Sequence, residues 1–228
     1  MSIADKLTTI AGNVQKVYEA GQAAGGGVNP LEYCTKLANL FNNTTFPDGY
    51  ELVIDVPNLI VDTSIDNFIS SSTKGLSKLT IKCGKSGMEF RSSFAFYACP
   101  SINQLDLSQF ADTEVFKCKN LYYAFYNCSN LHTISGVMDL AGCTNLNTAF
   151  TGTYNLVNLR VLAGSVDGSL PLGACSKLSD ESIQSIVDGL ADLTGVTTQT
   201  LTLHATVGNK LTEAQKATIT AKNWTLAY

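Results

Sequence analysis

The stretch "AFYNCSNL", Ala124 to Leu131, packs two aromatic rings, a cysteine, two asparagines and a serine into eight residues. Two readings compete for it: a reactive cluster around Cys128, with His132 close behind, or one turn of something that recurs. Two neighbours decide between them, "AFYACPSINQL" (Ala95 to Leu105) and "AFTGTYNLVNL" (Ala149 to Leu159). All three stretches carry Ala-Phe, a Cys or Thr three residues after the Phe, then apolar residues six and nine after it. The alanines stand 29 and then 25 positions apart. A shorter echo, Cys-x-Asn-Leu, recurs at Cys118–Leu121, Cys128–Leu131 and Cys143–Leu146. The stretch is one copy of a repeat, and the catalytic reading of Cys128 weakens accordingly.

Strand signals share the period. "KLTIK" (Lys78 to Lys82), "QLDLS" (Gln104 to Ser108) and "NLRVL" (Asn158 to Leu162) each alternate apolar with polar residues, as a strand with one buried face does. Leu79 to Leu105 is 26 residues and Ile134 to Leu159 is 25. Units of about 20–29 residues with one short strand each have leucine-rich-repeat length. A single unit cannot bury its own apolar face, so the units must stack, with strands in parallel and equivalent side chains in columns.

The Ala-Phe-x-x-Cys-x-x-Leu pattern resembles BspA-type leucine-rich repeats over about Leu76 to Leu162. That resemblance implies an α/β solenoid in which Phe96, Phe125 and Phe150 form one core column. Cys99, Cys128 and Thr153 would form a second, tighter one, and Asn130 would turn its amide onto loop backbone. "ADTEVFKCKNLYY" reads as an irregular insertion between units, and Gly152-Thr153 departs from the usual residue-Cys pair.

Composition agrees with a β-rich chain. Of 228 residues, 45% are hydrophobic and only 15% charged, which suits packed strands better than a set of solvated helices. Net charge is −4 with the 15 basic residues dispersed, the densest run being Lys74, Lys78, Lys82 and Lys85. A phosphate-binding surface needs concentrated positive charge, so no nucleic acid partner is expected. The start lacks the basic and apolar regions of a signal peptide, and no apolar run reaches about 18 residues, so neither export nor membrane insertion is expected. Seven cysteines, with a reducing compartment implied, argue against a disulfide framework. Without a Cys-x-x-Cys pair, and with His132 and His204 in unrelated contexts, zinc is a poor fit. Small buried hydrophobes is the favoured role for the thiols.

The two ends differ from the middle. Ile3, Leu7, Ile10, Val14 and Val17 follow 4-3-4-3 spacing, a narrow heptad stripe on a helix too short to stand alone. It needs either copies of itself, a trimer among the options, or a groove on another protein; a helix folded back as a cap is the competing reading. "AGQAAGGGVNP" then supplies a flexible linker. "NPLEYCTKLANLFNN" (Asn29 to Asn43) reads as a short helix and "YELVIDV" as a first strand. Near the far end, "LSDESIQSIVDGLADL" offers Ser179 as N-cap, with Ile183, Ile186, Val187 and Leu190 on one face. "TQTLTLHATV" reads as a strand, Thr212 to Lys222 as a capped helix, and the last residues as a strand. The expected organisation is a helix for oligomerisation or anchoring over 1–20, a Gly-rich linker over 21–30 and an N-terminal cap over 31–75. Leucine-rich repeats would fill 76–175 and a helix-strand cap 176–228.

The first 21 residues and the last 50 resemble virion proteins of phages and prophages of gut Firmicutes, classed as tail, baseplate or fibre-like components. This implies a virion protein assembled in the host cytoplasm, with itself, other virion proteins, or a host cell-surface glycan or protein as partner. A capsid decoration or head-fibre protein and a BspA-like bacterial adhesin are the alternatives. No cofactor, metal site or catalytic residue is expected: no nucleophile elbow, zincin, P-loop or calcium-loop motif occurs, and the carboxylates are scattered. Among the adjacent aromatics, Tyr122 and Tyr123 are the candidate surface-binding residues, because Tyr122, Tyr123, Phe125 and Tyr126 cannot all face one core. Tyrosines packed over the sheet edge is the reading set against that.

Overall fold

The computed structural model describes residues 45–55, 74–82, 84, 89–91 and 96–228. Within them run ten strands: β1 (Thr45–Asp55), β2 (Lys74–Lys82), β3 (Glu89–Arg91), β4 (Gln104–Asp106), β5 (Val115–Asn120), β6 (Thr133–Ser135), β7 (Val137–Asp139), β8 (Leu170–Leu172), β9 (Gln199–Leu203) and β10 (Trp224–Ala227). Three short helices lie toward the end, α1 (Asp180–Gly189), α2 (Ala205–Gly208) and α3 (Glu213–Ala221). The strands form three small sheets, ordered β1-β2-β4-β6, β3-β5-β7 and β10-β9-β8, and every pairing is parallel.

Parallel neighbours need a crossover between them, and here the crossovers supply the rest of the core. In the first sheet Leu52, Leu79, Leu105 and Ile134 are paired in register, all buried, while Glu51, Lys78, Gln104 and Thr133 occupy the adjacent row. An isolated parallel bridge from Thr133 to Asn158 carries the row one unit further. Period-2 alternation in the sequence thus fixes which row faces inward, because a slip of one residue would expose every leucine.

"NLRVL" is less regular than its alternation suggests. It makes only isolated bridges, Asn158 to Thr133 and Val161 to Met138. Its other edge faces a helix, not a strand. Two serines of α1 take over the ladder: Ser182 Oγ donates to Val157 O (2.9 Å) and accepts from Leu159 N–H (3.0 Å). Ser185 Oγ does the same for the Val161 carbonyl and amide, at 3.2 and 2.9 Å. Side-chain hydroxyls here satisfy backbone groups that a further strand would otherwise pair.

The segment read as an irregular insertion is a strand with a loop in front of it. Val115–Asn120 pairs with both β3 and β7, burying Phe116 and Cys118. Only the loop 107–114 is irregular, and Phe110 pins it by packing edge-on against Phe116 at 6.3 Å. The equivalent connection one unit later is Gly136 alone, between β6 and β7. Its φ is +100°, and an added Cβ would sit 2.8 Å from the Phe116 ring, so this corner requires glycine. The shorter second corner, partly offset by three more residues between the start of β7 and Ala149 than between the start of β5 and Ala124, brings the repeat from 29 to 25 residues.

The C-terminal block follows its sequence signals closely. Ser179 caps α1, accepting from Ser182 N–H, and Ile183, Ile186 and Val187 are buried along it, with Leu190 at its C-cap. Thr212 and Gln215 form a reciprocal capping box on α3. "TQTLTLHATV" differs: the strand stops at Leu203, and His204 Nδ1 accepts from Thr206 N–H (3.2 Å), capping α2. No basic residue sits in the last turn of α1, and Lys222 compensates from 32 residues beyond Leu190. Its ammonium donates to the carbonyls of Val187, Asp188 and Leu190 at 3.1, 3.2 and 2.7 Å. Trp224 Nε1 adds a bond to Ala191 O (2.9 Å). Among the described residues no helix is long and apolar enough to cross a membrane.

Candidate functional site

The repeat's corner places its side chains by backbone conformation first. Two residues after each phenylalanine stand Ala98, Asn127 and Gly152, with φ of +53°, +55° and +82°. Two residues before Phe125 and Phe150 stand Tyr123 and Thr148, at +55° and +56°. Left-handed residues on either side of the phenylalanine fold the chain tightly around it. They also leave its amides pointing at the next unit: Phe96 N–H bonds Ala124 O (2.8 Å), Phe125 N–H bonds Ala149 O (3.0 Å) and Asn127 N–H bonds Thr151 O (2.8 Å). At Gly152 the approach is closest. A Cβ there would overlap Asn127 and come within 2.9 Å of its Cα, so both conformation and space call for glycine.

Inside this corner Phe96, Phe125 and Phe150 lie ring on ring. Centroids are 5.8 Å apart at 5° for the first pair and 5.4 Å at 26° for the second, and all three side chains are buried. Such pairs contribute about 0.5–1.5 kcal/mol beyond the area they bury. Beside them runs the sulfur and hydroxyl column Cys99, Cys128, Thr153 and Cys175, all buried. Cys128 Sγ donates to Phe96 O (2.8 Å), and Thr153 Oγ1 lies 3.2 Å from Cys175 Sγ. Asn130 Nδ2 reaches back one unit to Pro100 O (2.6 Å), and Asn155 Nδ2 repeats the move to Ser129 O (2.7 Å). The three Cys-x-Asn-Leu echoes fall on two different corners. Cys118 and Cys143 belong together, joined through Thr144 N–H to Lys119 O and Leu121 N–H to Asn145 O, whereas Cys128 belongs with Cys99.

Four thiols here, Cys99, Cys118, Cys143 and Cys175, are held in the protonated form by burial. Burial pushes the Cys99 thiol well up, helped by its hydrogen bond with Cys128 and by that group's charge. Burial also raises Cys118, with Cys143 and Asp139 adding to it, and takes Cys175 up to about 11 against the pull of Thr153. Cys143, half-buried, is raised by the same cause in first place. A nucleophilic cysteine needs its thiolate favoured, and these environments favour the thiol. His132 Nδ1 lies against Thr133 Oγ1 at 3.1 Å. Among the described residues no group of three His, Cys, Asp or Glu side chains could hold a metal ion.

On the solvent side of the corner, four tyrosines cluster, all half-buried. Tyr97 and Tyr126, one residue after successive phenylalanines, stack at 5.2 Å and 7°. Tyr123 tilts against both, at 6.1 Å and 5.0 Å, and Tyr122 meets Tyr123 edge-on at 4.4 Å. The Tyr122 phenol is raised by desolvation and by its hydrogen bond with Tyr123. The sequence singled out Tyr122 and Tyr123, and the structure places them in this cluster. Tyr97 and Tyr126 were missed as a pair, although their shared place in the repeat was the signal for them. The stripe Ile3, Leu7, Ile10, Val14 and Val17 lies outside the described residues, as do the linker, the helix over 29–43, Cys34, Cys83 and Ala95.

Comparison with protein-family models, with curated proteins and with solved structures finds no match for this chain.

Proposed function

We propose that this chain is a non-enzymatic virion structural protein whose N-terminal helix anchors or oligomerises a leucine-rich-repeat solenoid of BspA-like type. The solenoid is displayed for contact with a host cell surface or with other virion proteins, in the manner of a tail-fibre, baseplate or receptor-binding component. The observation that carries this reading is the phenylalanine column with the tyrosine cluster on its outer side. Units that stack in register make a rigid scaffold, and a rigid scaffold holding half-buried tyrosines is suited to recognition. Buried thiols whose surroundings favour the protonated form support a structural role for these cysteines over a nucleophilic one.

Light scattering on the full chain, alone and mixed with the virion proteins encoded beside it, tests the display reading. The account expects an oligomer or a defined complex, lost in Leu7→Asp and Ile10→Asp. A monomer under both conditions overturns it.

A further inference from the structure

The tyrosine corner has a chemical surrounding that narrows what it can bind. The three segments that build it, 96–103, 120–131 and 140–159, contain no Asp, Glu, Lys or Arg at all. The charges of this region lie outside these segments, at Asp106, Asp112, Glu114, Lys117, Lys119, Asp139 and Arg160. Two more reach in from the following unit, at Gly142 and Asn155 rather than at the tyrosine-bearing residues 122–126: Asp167 accepts from Gly142 N–H (3.0 Å) and Lys177 Nζ donates to Asn155 Oδ1 (2.6 Å). Exposed residues of these segments include amides and hydroxyls: Asn127, Asn147 and Thr151, and Tyr154 at 57% exposure. Thr151 has a further consequence. It occupies the place of Tyr97 and Tyr126 in the third unit, so the tyrosine column ends at Tyr126 with a small exposed side chain as its successor.

Tyr123 occupies one of the corner's left-handed positions, as Thr148 does one unit later. A bulky residue with φ near +55° costs about 1–2 kcal/mol relative to glycine, and Asn or Gly would fit more cheaply.

Resting on the display reading above, we propose that this corner binds an uncharged polysaccharide, with Tyr126, Tyr97 and Tyr123 as its stacking surface. A pyranose presents an apolar face of C–H groups that packs on an aromatic ring, and its hydroxyls need amide and hydroxyl partners rather than ions. Protein interfaces favour arginine and methionine beside their aromatics, and neither occurs in these three segments. Single-stranded nucleic acid also stacks on tyrosine, but its phosphates require a basic groove.

Affinity electrophoresis of the full chain in native gels tests this, with dextran, galactomannan or mixed-linkage β-glucan in the gel and hyaluronan as the anionic control. At least one neutral polysaccharide should retard the protein, and hyaluronan should not. Tyr126→Ala should weaken retardation about tenfold or more, as loss of a central aromatic contact does. Tyr123→Gly should also weaken it, with the relief of the left-handed residue set against the loss of its three ring contacts in the melting temperature; it serves as the variant should Tyr126→Ala fail to fold. No retardation by any of the three, equal retardation of both variants, or retardation by hyaluronan alone overturns the proposal. Polysaccharide binding by a monomeric chain would overturn the display reading only. An assembled oligomer that ignores all three polysaccharides would overturn only the ligand class.

Discussion

The repeat region and the C-terminal block solve the same problem, pairing every buried backbone group, by opposite means. Between Phe96 and Val161 the polar groups of one unit are met largely by the next: amide to carbonyl at the corners, asparagine to carbonyl behind them, strand to strand in the sheets. From Asp180 onward the helices close their own ends, through Ser179, the Thr212–Gln215 box and the ammonium of Lys222. A unit of the first kind has little reason to hold its shape without neighbours, and a block of the second kind has most of what it needs. Where the two meet, Ser182 and Ser185 convert one system into the other.

Substitutions should therefore cost most in the middle of the stack. Phe125→Ala removes the ring that touches both others, and urea denaturation should show a loss of about 3–5 kcal/mol. Gly152→Ala forces a side chain into a left-handed residue and against the Asn127 backbone; a loss of about 2–4 kcal/mol is expected, read the same way. At the junction, Ser182→Ala strips a partner from two backbone groups of the last unit. About 1–3 kcal/mol should be lost, with amide exchange of Leu159 speeded more than that of α3. Within the end block, Lys222→Met should cost only about 1 kcal/mol, since it leaves the helix carbonyls partly open to water.

The last effect is a pH dependence. The Cys175 thiol rises from an ordinary 9.0 to about 11 on folding, so above pH 9 the unfolded chain gives up this proton first. Its contribution to stability is complete below the unfolded value and fades as pH climbs toward the folded one, by at most about 1.4 kcal/mol per pH unit. Denaturation midpoints followed through this window should fall less steeply in Cys175→Ala than in the parent.

What could be read from the sequence was whatever recurs. Phe96, Phe125 and Phe150, the thiols Cys99 and Cys128, and the amide of Asn130 all sit at fixed offsets from the Ala-Phe pair, and periodicity exposes them. The C-terminal helices were legible for a different reason: caps and apolar faces are local signals, and Ser179 and Thr212 carry them. The second sheet was hidden because its strand β5 follows an eight-residue corner in one unit and β7 follows a single glycine in the next, which spoils any alignment by spacing. Serines that stand in for a strand gave no signal, since Ser182 and Ser185 look like ordinary polar residues of a helix. In the tyrosine cluster, Tyr122 and Tyr123 stood out through crowding, while Tyr97 and Tyr126 needed the fold to bring them face to face.

The order of the phenylalanine column tests the account most directly. Double-mutant cycles with Leu at Phe96, Phe125 and Phe150, measured by urea denaturation, should give coupling of about 0.5–1.5 kcal/mol for the stacked pairs, Phe96 with Phe125 and Phe125 with Phe150. The outer pair, Phe96 with Phe150, should couple by less than about 0.5 kcal/mol because Phe125 stands between them. Coupling of the outer pair equal to or above that of the inner pairs would contradict the stack.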